Sequence, residues 1–227
     1  MRRQAAYFVN RLKGRRVVFA RIFRENRWGG SESVSGRGSD LENTEVLRQA
    51  LGGLVRRLSV QSLLDIPCGD CNWIMHSQVP DSLSYLGADI VPELISSNIA
   101  RWNRPNVSFQ VIDLVSSRLP RADLVLVRDC LVHLMLADGL RALRNVCTSG
   151  SRYLLTTTYP NTASNPDVPT GWWRPLNLER PPFSLPRPVF LLNEQYTGDE
   201  GRYADKSLGL WHISDLCRAL RCLPATP

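Results

Sequence analysis

Apolar residues along the chain fall into short runs separated by stretches of helical spacing. The runs at 62–66, 84–89, 107–113, 122–128 and 151–158 have strand length, whereas Pro92 to Arg101 and residues 137–147 place their apolar positions on one helical face. Another helix is predicted ahead of the first run. Its apolar face is Val46, Leu47, Ala50, Leu51, Leu54, Val55 and Leu58, and Asp40 is placed to cap its start. Pro92 suits the first turn of its helix. Uninterrupted apolar strands alternating with helices predict parallel strands covered on both faces, an α/β doubly wound sheet. A Pro-rich, aromatic segment, 159–187, then precedes two last apolar runs at 188–194 and 208–213. A loop of that length predicts a functional role.

The strand ends carry the chemistry. The first run closes on Asp65 and enters Pro67-Cys68-Gly69-Asp70-Cys71, small and turn-forming residues that let backbone approach a ligand closely. The next two close on Asp89 and Asp113. In open α/β sheets ligands bind outside the carboxyl ends of the strands, so three acids at those ends predict one shared pocket there.

Length and composition predict one soluble α/β domain over residues 40–227, preceded by a basic helix and a Gly/Ser-rich loop over 1–39. The formal net charge of +7 is concentrated in residues 1–27, where Phe8, Leu12, Phe19, Ile22 and Phe23 recur at near-helical spacing among Arg and Lys. Such a helix can dock on the domain with a solvated basic face, rest on anionic lipid, or face an anionic substrate. No recognisable nucleic-acid module accompanies the charge, so no nucleic-acid partner is expected. The loop 28–39 reads either as a flexible linker or, given Trp28, Glu32 and Arg37, as a segment that folds over a ligand. No apolar run reaches spanning length and Arg11, Lys13, Arg15 and Arg16 interrupt any signal-peptide core, which predicts a cytoplasmic protein, with peripheral contact at the inner membrane surface through the basic helix as one reading. The six cysteines read as reduced thiols, and Cys68-x-x-Cys71 has neither a second pair nor a neighbouring His, so no metal is expected.

Taken together, these features resemble the class I S-adenosylmethionine-dependent methyltransferases over roughly residues 40–220. The turn from Asp65 to Cys71 resembles the glycine-rich first motif, with Pro67 and Cys71 where glycines are usual. The resemblance implies a Rossmann-like methyltransferase sheet, mostly parallel with an antiparallel seventh strand. It further implies that Asp89 bonds the ribose hydroxyls of the cofactor and Asp113 its adenine amino group, with Asp65, Cys68, Gly69, Asp70, Ile90, Leu114 and Arg128 completing the cofactor site. The run Val127-Arg128-Asp129-Cys130-Leu131-Val132-His133-Leu134 resembles the family's fourth motif, at the rim where cofactor and acceptor meet. The wording around Trp28 to Gly36, Asp65 to Asp70 and Asp205 to Trp211 also resembles a bacterial subgroup associated with surface-polysaccharide genes. That implies a saccharide or sugar-like acceptor, with the basic arm near an anionic donor.

Methyl transfer from a sulfonium is an in-line displacement, so a protein helps mainly by alignment and desolvation. A hydroxyl acceptor must also lose a proton, and among His76, His133 and His212 the candidate base is His133, one turn after Asp129, which is close enough to orient it. His133 can equally pack or cap the next helix. His212 reads as structural and His76 as surface or second to the first turn. Tyr159, at a strand end, lines an acceptor pocket or belongs to the core, and Trp28 and Arg37 are further acceptor contacts. Arg128 either contacts ligand or pairs with a nearby acid. Asp65 can also simply cap its turn, and Asp70 can bond the loop backbone. Alternatives to small-molecule O-methylation are N- or carboxyl-methylation of a protein or nucleic acid, and a catalytically silent cofactor-binding partner subunit. A nicotinamide-binding Rossmann protein is disfavoured because Gly-x-Gly-x-x-Gly is absent. Oligomeric state is not legible.

Overall fold

The computed structural model describes residues 14–102 and 104–221. In chain order the elements are α1 (Arg15–Arg24), α2 (Glu45–Arg57), β1 (Ser62–Asp65), β2 (Ser84–Asp89), α3 (Pro92–Arg101), β3 (Val107–Val111), β4 (Leu124–Val127), α4 (Leu136–Thr148), β5 (Tyr153–Thr158), β6 (Phe190–Asn193), β7 (Ser207–His212) and α5 (Ile213–Arg221). The strands form one seven-stranded sheet in the order β3-β2-β1-β4-β5-β7-β6. Strands β1 to β5 pair in parallel, and β7 inserts antiparallel between β5 and β6. The expected doubly wound sheet with an antiparallel seventh strand is therefore present. The chain order reverses direction at β1, between β2 and β4, which is where such sheets open a crevice.

Period-two alternation explains how one apolar run serves two layers. Leu64, Val125, Val127 and Leu154 face α4 and α5, meeting Leu140, Leu143, Val146, Ile213 and Leu216. Their neighbours Leu63, Leu124, Leu126 and Leu155 face the other way, onto Leu47, Leu51, Leu54 and Val55 of α2. All four residues of β4 and all six of β5 are buried, whereas the edge strands β3 and β6 alternate with exposed positions. Packing on both faces is what selects uninterrupted apolar runs in the central strands.

Several boundaries move. Asp40 does not cap α2: a short 3-10 turn, Glu42–Thr44, precedes that helix, and the Thr44 hydroxyl donates back to the Asp40 carbonyl at 2.9 Å. The third run stops pairing at Val111, which leaves Asp113 two residues beyond the strand in a turn where its carboxylate accepts the Val115 N–H at 2.9 Å. The segment 159–187 is more than a loop, because Leu176, Leu178, Phe183 and Leu185 enter the core. Of the basic helix, the described part is α1, with Val18, Ala20 and Ile22 buried; Phe8, Leu12 and the expected helix over 7–13 lie outside the described residues. No helix among the described residues is long and apolar enough to cross a membrane.

Candidate active site

At the carboxyl ends of β1 and β2 two carboxylates are buried side by side. Asp65 accepts the Tyr85 hydroxyl at 2.8 Å, and Tyr85 in turn lies 3.4 Å from the Cys71 sulfur. Asp89 accepts the N–H of Val91 at 3.0 Å and of Gly69 at 3.3 Å. Burial pushes Asp65 up to about 7, against the Tyr85 bond and the Arg128 charge, with Asp89 adding repulsion. Burial likewise lifts Asp89 to about 6, against the backbone bonds from Val91, Gly69 and Ile90. Among the described residues neither acid has an ion-pair partner. Desolvated carboxylates so placed favour a ligand that brings positive charge and hydroxyl donors.

Both acids line a cleft whose walls also include Cys68, Gly69, Ile90, Asp113, Leu114, Arg128, Asp129, His133 and Trp28. Gly69 adopts φ +56°, and a Cβ there would collide with Ser35 Oγ, so only glycine lets the first turn and the 28–39 segment meet this closely. That segment is no free spacer. Asp70 accepts the Ser33 hydroxyl at 2.9 Å and the Val34 N–H at 3.0 Å, Glu32 accepts the Asn72 amide at 2.5 Å, and the Gly38 carbonyl accepts Arg128 at 2.7 Å. Asp70 is thus occupied in pinning the segment and is not part of the cleft wall.

Helix α1 covers the opening. Phe19 and Phe23 face the cleft, Arg24 reaches Glu93 at 2.5 Å, and Arg15 spans to Asp113 at 2.7 Å and Asp138 at 3.2 Å. Both Asp113 oxygens are thereby engaged, one by Arg15 and the Ser116 hydroxyl, the other by the Val115 N–H. Burial alone would raise Asp113, but the bonds from Arg15, Ser116 and Val115 hold it below its ordinary value.

The wall at the end of β4 is a buried ionic cluster. Arg128 and Lys206, with side chains 4% and 5% exposed, share the fully buried Glu194 at 2.6 and 3.3 Å. Lys206 also holds Asp129 at 2.6 Å, and Arg128 approaches it at 3.4 Å. Asp129 sits in the left-handed region at φ 49°, its N–H donating to Thr157 Oγ1 at 2.8 Å. Burial would raise its pKa, but Lys206 and Arg128 pull it down to about 2. Arg128 thus makes the ion pair that one of its two readings expects, and it also lines the cleft. His133 follows on the short turn Leu131–His133 and stacks on Trp28 with ring centres 4.9 Å apart. Its Nδ1 lies 3.1 Å from the Trp172 carbonyl, and no hydrogen bond joins it to Asp129. The expected Asp129-to-His133 orienting bond is replaced by a backbone acceptor, because Asp129 is already held by two cations. Burial lowers His133 to about 4, with Asp129 and the Trp172 carbonyl opposing and Arg174 and Lys206 reinforcing.

Two expected acceptor contacts stand elsewhere. Tyr159 is 2% exposed and packs against Trp173 and Tyr203, taking the core alternative, and Arg37 is exposed outside the cleft wall. His212 stacks on Tyr153, and His76 lies edge-on to Trp102 beside the first turn. Residues with no site role assigned from sequence are Tyr85, Ser33, Ser35, Arg15, Glu194, Lys206 and Arg174. Ser33, Ser35 and Lys206 fall within the stretches that carry the subgroup resemblance, and Lys206 is one of the chain's two lysines, with Lys13.

No protein-family model and no curated protein matches the chain. Among solved structures it is similar to a Nostoc punctiforme protein assigned as an O-methyltransferase, with TM-score 0.54 and 14% identity over 73% of this chain and 55% of that one. It is also similar to human N-acetylserotonin methyltransferase in complex with S-adenosylmethionine, with TM-score 0.47 and 14% identity over 63% of this chain and 41% of that one. The N-methyltransferase NodS of Bradyrhizobium japonicum, solved with S-adenosylhomocysteine, gives TM-score 0.43 and 17% identity over 60% and 72%. The likeness to the Nostoc protein carries the fold comparison: the chain has the Rossmann-like methyltransferase fold, and spans little more than half of that relative's length.

Proposed function

We propose that the chain is an S-adenosylmethionine-dependent methyltransferase that methylates a hydroxyl of a saccharide or other small-molecule acceptor. The observation that carries the reading is the meeting of Asp65, Asp89 and Asp113 in one cleft at the carboxyl ends of successive strands. The cleft fits the cofactor chemically. Its two unpaired buried carboxylates suit an amino group and a ribose diol, and Ile90, Val91, Ile112 and Leu114 offer apolar surface to a purine. When bound, S-adenosylmethionine supplies an electrophilic methyl on a cationic sulfur.

In this reading Asp89 takes the ribose hydroxyls, Asp65 and the Gly69 turn hold the amino-acid end, and Cys68, Ile90 and Leu114 form walls. Asp113 acts through Arg15, holding α1 over the cleft, instead of bonding adenine directly. His133 takes the acceptor's proton, Arg128 and Lys206 fix Asp129, and α1 excludes water. Trp28 at the cleft, together with Trp172 and Trp173, each 39% exposed, offers flat aromatic surface of the kind sugar rings pack on. Exposed Arg16 and Val17 give α1 an outer face suited to an anionic or lipid-linked acceptor at the inner membrane surface, in keeping with a surface-polysaccharide role. Residues 40–227 are then the catalytic domain, and α1 with the 28–39 segment is its cover.

Thermal unfolding with S-adenosylhomocysteine, with NAD and without ligand tests the cofactor assignment, because a ligand that binds the folded state raises its apparent stability. Stabilisation by S-adenosylhomocysteine alone is expected. Stabilisation by NAD, or by neither, contradicts the reading.

A further inference from the structure

The segment 170–174 lies across the turn that carries His133 and is bonded to it repeatedly. The Gly171 N–H donates to the His133 carbonyl at 2.8 Å, and the Arg174 N–H to the Val132 carbonyl at 3.2 Å. The guanidinium of Arg174 then gathers the carbonyls of Leu131 at 3.0 Å, Val132 at 2.7 Å and Pro166 at 3.1 Å. Just upstream, Asp167 accepts the first N–H of α4, that of Leu136, at 2.8 Å. Arg174 is 3% exposed and, among the described residues, forms no ion pair. A guanidinium buried without an acid in contact is costly, and burial pulls Arg174 down to about 10 against the more distant charge of Asp167. What its planar fork obtains here is three backbone carbonyls from two segments, an arrangement that a lysine point charge does not reproduce.

The hydrogen bond between His133 and Trp172 has a definite direction. A carbonyl oxygen only accepts, so Nδ1 must carry the proton and Nε2 the lone pair when the ring is neutral. We infer that Arg174 is a positioning residue: it clamps the Leu131–His133 turn to the 170–174 segment, so that the Trp172 carbonyl holds His133 as the Nδ1–H tautomer with Nε2 free to accept a proton. This inference rests on the reading of His133 as the base. The closeness of the clamp shows at Gly171, where φ is +88° and a Cβ would meet Val18 Cγ1 at 2.8 Å and Ile22 Cδ1 at 3.0 Å, so the same segment is wedged beneath α1.

Long-range 1H–15N spectra of the full-length labelled chain report the tautomer of each histidine without an acceptor, and His133→Asn assigns its signals among the three. The wild-type chain at neutral pH should show His133 as a single Nδ1–H form. Arg174→Met, which keeps bulk and removes the donors, should give a mixture of tautomers. Arg174→Lys should fall between, because it keeps charge without the fork. A pH titration should move with the tautomer, read against the groups that face the ring: Asp129, Lys206 and Arg174, with Trp28 stacked on it. A wild-type Nε2–H form overturns the inference whether or not a variant folds. So does a folded Arg174→Met or Arg174→Lys chain that keeps the wild-type Nδ1–H form and titration. S-adenosylhomocysteine titration of the wild-type chain tests the underlying functional reading separately, so the two failures are distinguishable.

Discussion

Affinity for S-adenosylhomocysteine should fall steeply between pH 8 and pH 5, because the cleft ionises its two acids far above the usual carboxylate range. Burial sets Asp65 at about 7 and Asp89 at about 6. A ligand that presents an ammonium to one and a diol to the other takes both as carboxylates, so any proton present must leave on binding. At pH 8 that costs almost nothing. At pH 5 Asp65 lies about two units below its pKa and Asp89 about one, which weakens binding about 100-fold and about tenfold, or up to about 4 kcal/mol together. Between pH 6 and 7 the pair is partly protonated, so binding should release on the order of one proton. The ligand-free chain responds in the opposite sense. Both folded pKa values lie above the unfolded ones, so these two groups contribute stability below about pH 4 and lose it as pH rises through 6 to 7. Isothermal titration in two buffers of different ionisation enthalpy measures affinity and proton release together. Affinity constant from pH 5 to 8, with heats independent of buffer, refutes the reasoning.

Glu194→Gln should destabilise the fold by about 3–5 kcal/mol, since it leaves Arg128 and Lys206 sharing only Asp129, and at this chain length that lowers Tm by roughly 6–20 °C in a calorimeter. Glu25→Gln, at an exposed pair with Arg21, should leave Tm unchanged and serves as the comparison. Arg15→Ala removes the contact of α1 with Asp113 and Asp138; as the pair is partly exposed, about 1 kcal/mol or less is at stake, and stopped-flow dissociation of S-adenosylhomocysteine should quicken up to about fivefold with a weaker salt dependence. Gly69→Ala forces a side chain into φ +56° and onto Ser35, so ligand affinity should drop at least about tenfold in the same titration.

The architecture was legible because the signal is local and repeated. Buried parallel strands such as β4 and β5 must be apolar throughout, and their lengths bound where the acids Asp65 and Asp89 fall. The acids that end strands were therefore placed correctly in the cleft from pattern alone. What pattern could not show is pairing across distance. Arg15 meets Asp113 over 98 positions, and Arg128 meets Glu194 over 66, and nothing in the neighbourhood of either residue marks its partner. The same blindness misread Asp129, whose nearness in sequence to His133 pointed to an orienting bond while Lys206, the residue just before β7, had already claimed the carboxylate. Tyr159 was ambiguous at a strand end, and its burial is decided by Trp173 and Tyr203, residues that composition does not connect to it. The Gly/Ser-rich segment reads equally as a spacer or as a loop folded over a ligand, because its order comes from a distant acceptor, Asp70.

The central claim is that the acids at one end of the sheet bind an adenosyl cofactor, and titration of S-adenosylhomocysteine into the wild-type chain, Asp89→Ala and Asp123→Asn tests it most directly. Asp123 lies at the opposite end of the sheet, where it accepts the N–H groups of Gln61 and Ser62, so its loss should cost stability and leave affinity intact. Asp89→Ala should weaken binding about 100-fold or more, through two lost hydrogen bonds to a charged acceptor. A wild-type chain that binds nothing, or an Asp89→Ala chain that binds as tightly as wild type, contradicts the account.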